Sequence, residues 1–186
     1  MRRWTILGLL AIAAVWAAHA ETPAAEKPDP LAPIAFLVGS WHGEAAGDAG
    51  GGTLERAYER VLNAHFVRER NVTTYPPQEQ NPKGEVHEHQ AYFSYDHARG
   101  RIMLRQFHQE GFVNTYAFDP AASTGSKLVF ASEDFENFDD AWKGRETYDV
   151  ISPDEFIETF ELAEPGKPFE IYSRSHLRRA GALSQP

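Results

Sequence analysis

From residue 41 onward, apolar and polar side chains alternate with a period of two, and clusters of Gly, Pro, Asn and Asp interrupt the alternation at short intervals. The pattern predicts about ten strands, at 41–46, 53–62, 65–75, 85–96, 101–109, 112–118, 127–132, 142–150, 156–162 and 169–177. The breaks between them are the glycine run 47–52, Asn63-Ala64, the Pro-containing loop 76–83, His97-Ala98-Arg99-Gly100, Glu110-Gly111, an acidic loop at 133–140, Pro153-Asp154 and Pro165-Gly166-Lys167. Ahead of the strands, Leu31, Ile34, Phe36, Leu37 and Val38 form an apolar cluster with Pro33 in its first turn and Gly39 as its stop, which predicts a short helix. No strand–helix alternation follows, and nearly every link is short. The expected fold is all-β: a single antiparallel up-and-down barrel of about ten strands, with the short N-terminal helix closing one end.

The first twenty residues read differently. Arg2 and Arg3 precede an apolar run from Ile6 to Ala18, and Ala18-His19-Ala20 has the small-x-small form of a signal-peptidase site. The expected organisation is a secretory signal at 1–20, a Pro- and Ala-rich linker at 21–30, the barrel at 31–180 and a tail at 181–186. This predicts an exported chain, periplasmic or secreted, with no stable membrane insertion once the signal is cleaved. The net charge of −9 at pH 7 argues against nucleic acid and anionic membrane surfaces as partners. With no Cys, the chain has no disulfide, no thiolate nucleophile, no Cys-based zinc site and no lipoprotein anchor.

The histidines carry the most chemistry. His87 and His89 are two apart on one strand, so they point to the same face. Pairing the fourth and fifth strands across His97–Gly100 sets Asp96 opposite Arg101, Tyr95 opposite Ile102, Phe93 opposite Leu104, Ala91 opposite Gln106 and His89 opposite His108. That register brings the apolar side chains together. It also gathers His87, His89 and His108 on one face. If that face is the interior, Phe93, Tyr95, Ile102, Leu104, Gln106, His87, His89 and His108 line a cavity graded from apolar to polar, suited to a small apolar or amphipathic molecule. Three imidazoles on neighbouring strands are also candidate metal ligands.

Other constellations are thinner. Glu55-Arg56, Glu59-Arg60 and Arg68-Glu69-Arg70 read as cross-strand ion pairs on an outer face. Glu133 to Asp140 lacks the spacing of an EF-hand and reads as a solvated loop. Glu158 and Glu161 fall on opposite faces of their strand. No nucleophile elbow, phosphate loop or dinucleotide fingerprint is present, so no catalytic residues are assigned and the balance is toward binding rather than catalysis.

Leu37-Val38-Gly39-Ser40-Trp41-His42-Gly43-Glu44 resembles the opening of calycin-like barrels, the lipocalin, fatty-acid-binding and nitrobindin-like group. In overall texture the chain from Leu31 to Arg179 is most similar to a bacterial family of uncharacterised lipocalin-like secreted proteins. The resemblance implies that Trp41 packs against an Arg of the last strand, Arg178 or Arg179, to close one barrel end. Nitrobindin-like barrels hold haem through a His near the C-terminus, which implies His176 as a further metal candidate, although here it sits inside the last strand and is followed by two Arg. The expected function is a binding protein holding a small ligand in a barrel cavity. The alternatives are a haem- or metal-binding barrel, acting as sensor or enzyme, and a ligand-free envelope accessory protein.

Overall fold

The computed structural model describes residues 28–138 and 141–181, so the expected signal, residues 21–27 of the linker and the tail beyond Gly181 lie outside the described residues. A 3₁₀ helix, Ala32–Leu37, leads into ten antiparallel strands. They are β1 (Gly39–Gly47), β2 (Gly50–Val61), β3 (Phe66–Tyr75), β4 (Glu85–Asp96), β5 (Arg101–His108), β6 (Val113–Phe118), β7 (Lys127–Glu136), β8 (Lys143–Ser152), β9 (Glu155–Ala163) and β10 (Glu170–Arg179). Each strand pairs with the next, and β10 returns to pair with β1 from Trp41↔Arg179 to Gly47↔Ser173. The sheet is therefore a closed up-and-down barrel with no free edge.

Two segments differ from the pattern reading. The glycine run is not a broad turn: β2 starts at Gly50, which pairs with Gly47. The acidic stretch from Glu133 to Glu136 continues β7, because a bulge opposite Thr115/Tyr116 shifts the register and turns Phe135 into the barrel. Charged neighbours disguised that strand as a loop. Within β4 and β5 the pairing runs from Asp96↔Arg101 to His89↔His108, the register that the apolar pairs dictate.

The barrel has two unlike halves. At the helix end, Leu31, Ile34 and Leu37 plug the interior over Trp41, Tyr58, Phe93, Phe130, Tyr148, Phe156 and Leu177, all buried. The rings meet edge-on, as in Trp41–Phe156 at 4.7 Å and Phe93–Phe130 at 5.7 Å between centroids. Trp41 Nε1 donates to the Leu37 carbonyl at 2.6 Å, which ties the plug to β1. Arg179 lies over the Trp41 ring, while Arg178 points out and pairs with Glu155. Gly39 between them has φ +135°, and a Cβ there would stand 2.5 Å from Arg179 Nη1, so the Gly of Gly-x-Trp makes room for the arginine. The other end of the barrel is open.

Candidate functional site

Between the packed half and the open end lies a layer of buried polar side chains. Arg56 on β2 is its hub, fully enclosed. Its Nε donates to Asn71 Oδ1 at 2.9 Å and stands 3.2 Å from Glu69 Oε1; its Nη1 reaches Glu158 Oε2 at 2.7 Å and Tyr58 Oη at 3.2 Å. Burial works against the Arg56 charge, but Glu158, Tyr58 and Glu69 outweigh it and hold the guanidinium protonated. Burial likewise pushes Glu69 up, yet Arg56 and a hydrogen bond from His89 keep it below the ordinary carboxylate range. Glu146 on β8 has no such partner. Burial, reinforced by the nearby Glu158, raises its pKa well above the ordinary carboxylate value. Its Oε1 accepts from Gln106 Nε2 at 3.4 Å.

Several atoms of this layer are buried without a hydrogen-bond partner: Gln106 Oε1, Glu146 Oε2, Glu69 Oε2, Tyr148 Oη and His108 Nδ1. Unpaired buried polar atoms are costly, and their concentration in one layer marks a place built to meet something.

Above the layer a cavity of about 350 Å³ opens to the barrel mouth. Its floor is Arg56, Gln106, Glu146 and Glu158. One wall is imidazole: His87 and His89 from β4 and His108 from β5. Phe112 stacks on His108, 4.3 Å between centroids, and Phe135, Phe138, Phe160 and Leu162 make up the rest of the apolar lining. His89 Nε2 is 2.9 Å from Glu69 Oε1, and His87 Nδ1 is 3.0 Å from Glu110 Oε1 at the rim. Burial, with the nearby His89 and His87, takes the pKa of His108 down to about 3, so it is a neutral imidazole at pH 7.

Of the residues singled out in the sequence, His87, His89, Gln106 and His108 line this cavity. Phe93, Ile102 and Leu104 share their inward face but sit deeper, in the packed half, and are fully buried against other side chains. Tyr95 is near the closed end, its ring 5.0 Å from His97. His176 is a correction. The inward positions of β10 are Ser173, Ser175 and Leu177, so His176 faces outward, where its Nε2 meets Glu155 Oε1 at 2.6 Å. A second correction concerns Arg56 and Glu69, read as outer-face ion pairs and found at the centre of the barrel. The signal was available: Arg56 has the parity of Leu54 and Tyr58, and Glu69 that of Val67, all facing inward.

A closed barrel with one end plugged, the other open and a cavity between is a ligand-binding β-barrel domain. Residues 30–179 match the family model described as THAP4-like, heme-binding beta-barrel domain, and the chain belongs to that family. No curated protein matches it. Among solved structures it is similar to the crystal structure of Rv2717c from M. tuberculosis, with 17% identity and a TM-score of 0.57 over 82% of this chain and 98% of that one, a likeness of fold.

The residues of this chain fit haem poorly where the nitrobindin resemblance would put its ligand. β10 offers the cavity two serine hydroxyls and no imidazole. The inward histidines instead stand together on one wall, with ring centroids 5.3–6.0 Å apart. Two of them are already held by carboxylates.

Proposed function

We propose that this chain is an exported binding barrel, periplasmic or secreted, that holds a small amphipathic molecule in the open half of its interior. The observation that carries the reading is the cavity itself. An apolar wall of Phe135, Phe160 and Leu162 faces a floor whose Gln106 Oε1 and Glu146 Oε2 lack partners. Such a site takes an apolar body against the wall and a polar head on the floor. The head is neutral and hydrogen-bonding, a hydroxyl or an amide: it donates to Gln106 Oε1 and bonds to Glu146 Oε2, the two floor atoms without partners. A carboxylate head is disfavoured, because Glu69, Glu85, Glu110 and Glu158 surround the site and Arg56 is already shared between two of them. Export is supported by Arg2, Arg3, the apolar run and Ala18-His19-Ala20.

Native mass spectrometry of untagged protein, purified from the organism that encodes it, tests both parts. The expected spectrum shows a chain beginning at Glu21 with a discrete organic mass bound. Bare chain in every preparation overturns the ligand, a chain retaining its first twenty residues overturns the export, and a porphyrin mass with a Soret band replaces the neutral amphiphile by haem.

A further inference from the structure

The imidazole wall has a geometry that an organic ligand does not explain. His87 and His89 share one face of β4, and His89 lies opposite His108 of β5. One ring nitrogen from each of the three falls within 4.8 Å of the others. We propose that His87, His89 and His108 bind one divalent transition ion, zinc being the first to test, with a coordination position left open to the cavity.

Three features of the surroundings support this. The first is the pair of carboxylates that hold two of the imidazoles. Glu69 holds His89 at its Nε2 and Glu110 holds His87 at its Nδ1, which leaves His89 Nδ1 and His87 Nε2 as the free donors. Carboxylates on the far nitrogen are what orient metal-bound imidazoles and raise their basicity, and Glu69 is itself fixed by Arg56. The second is His108, whose Nδ1 is buried without a partner while its Nε2 faces the Asn114 amide at 3.3 Å. An ion on Nδ1 satisfies a buried nitrogen that otherwise has no hydrogen-bond partner. The third is charge: Glu69, Glu85 and Glu110 stand around three imidazoles, and Glu85, His87 and Glu110 can themselves converge at the rim. An imidazole set without thiolates suits Zn, Cu or Ni rather than Mg or Ca. Tetrahedral zinc, with Zn–N of about 2.0–2.1 Å, needs the nitrogens roughly 3.3 Å apart. His87 is partly exposed at the rim, so its ring has room to adjust toward the other two. Three protein ligands and an open position place the ion where the oxygen of a hydroxyl or amide head can complete its coordination.

Titration of zinc into untagged, chelator-stripped protein, followed calorimetrically and by metal content after gel filtration, tests the site. The expected result is one equivalent retained. His108→Ala and His87→Ala should weaken binding by about 100-fold or more, and Glu110→Gln by roughly 10-fold through its hold on His87. His176→Ala, on the outer face, should bind as the parent does. Circular dichroism establishes that each variant is folded, and His87→Ala at the rim carries the test if His108→Ala does not fold. Cobalt in place of zinc should give the visible bands of a four-coordinate site, lost in the same variants. No retained zinc, or equal retention by the parent, His87→Ala and His176→Ala, overturns the proposal. Metal content and bound organic mass are separate readings, so either can fail without the other.

Discussion

The guanidinium of Arg179 lies over the indole of Trp41, 4.3 Å from the ring, and binds the two chain termini of the barrel together. Its Nη1 donates to the Val38 carbonyl at 3.0 Å and its Nη2 to the carbonyls of Phe36 and Pro153 at 2.9 and 2.8 Å, while its Nε pairs with Asp154 at 2.7 Å. One side chain thus joins the 3₁₀ plug, the β8–β9 turn and β10. Trp41→Ala removes a fully buried indole and should cost about 3–5 kcal/mol, lowering the melting temperature by roughly 10 °C. Arg179→Lys keeps the charge but loses the fork that reaches three carbonyls, and should cost about 1–2 kcal/mol. Thermal unfolding followed by circular dichroism measures both. Unchanged melting in Trp41→Ala would show that the plug does not hold the barrel shut.

The raised pKa of Glu146 gives a signed pH dependence. Burial and then Glu158 raise its pKa in the folded chain above the unfolded value near 4.5. The folded state therefore binds its proton more tightly, so the contribution to stability is complete below about pH 4.5 and declines as pH rises toward the folded pKa. Glu146→Gln keeps the shape and cannot ionise. Urea unfolding should find the variant more stable than the parent at pH 7 and 8, with the difference shrinking toward pH 4. A difference that is constant with pH would mean that Glu146 titrates normally.

The seam between β1 and β10 depends on Gly43. A Cβ at this position would stand 2.2 Å from the His176 carbonyl oxygen and 3.1 Å from Leu177 Cα, both backbone atoms that cannot swing aside. Gly43→Ala should cost about 1–3 kcal/mol by overpacking. Because the strain falls on the closing pair, hydrogen exchange should rise first along β1 and β10, with β4 and β5 protected as before. Uniform loss of protection would place the strain elsewhere.

What was legible in the sequence follows from what periodicity encodes. Alternation reveals the face of a residue and, through apolar pairing, the register, which is why His89↔His108 could be read from the chain. Depth along the barrel leaves no such mark. Phe93 and Leu104 have the same parity as His89 and Gln106, yet they are packed solid beneath the polar layer, because the plug of Leu31, Ile34 and Leu37 closes their end only. Charge misled in a second way. Arg56 and Glu69 occupy inward positions but have the composition of a solvated face, and it is the pairing of Arg56 with both Glu69 and Glu158, the latter on a strand about a hundred residues away in sequence, that makes their burial affordable.

The apolar wall of the cavity gives the sharpest test of where the ligand sits. Phe160 lines the cavity and packs edge-on against Tyr172, 5.7 Å between centroids, so its ring is held in place before anything binds. Phe160→Ala removes a surface worth about 1.5–3 kcal/mol of apolar burial, a loss of roughly 10–100-fold in affinity for the molecule released from the native preparation. Phe107→Ala is the matched comparison, since that ring lies on the outer face of β5, is 45% exposed and packs edge-on against Tyr92. Calorimetric titration of both variants should separate them: weak binding in Phe160→Ala and parental binding in Phe107→Ala. Equal binding by the two would move the ligand off this wall, and with it the reason for an open half to the barrel.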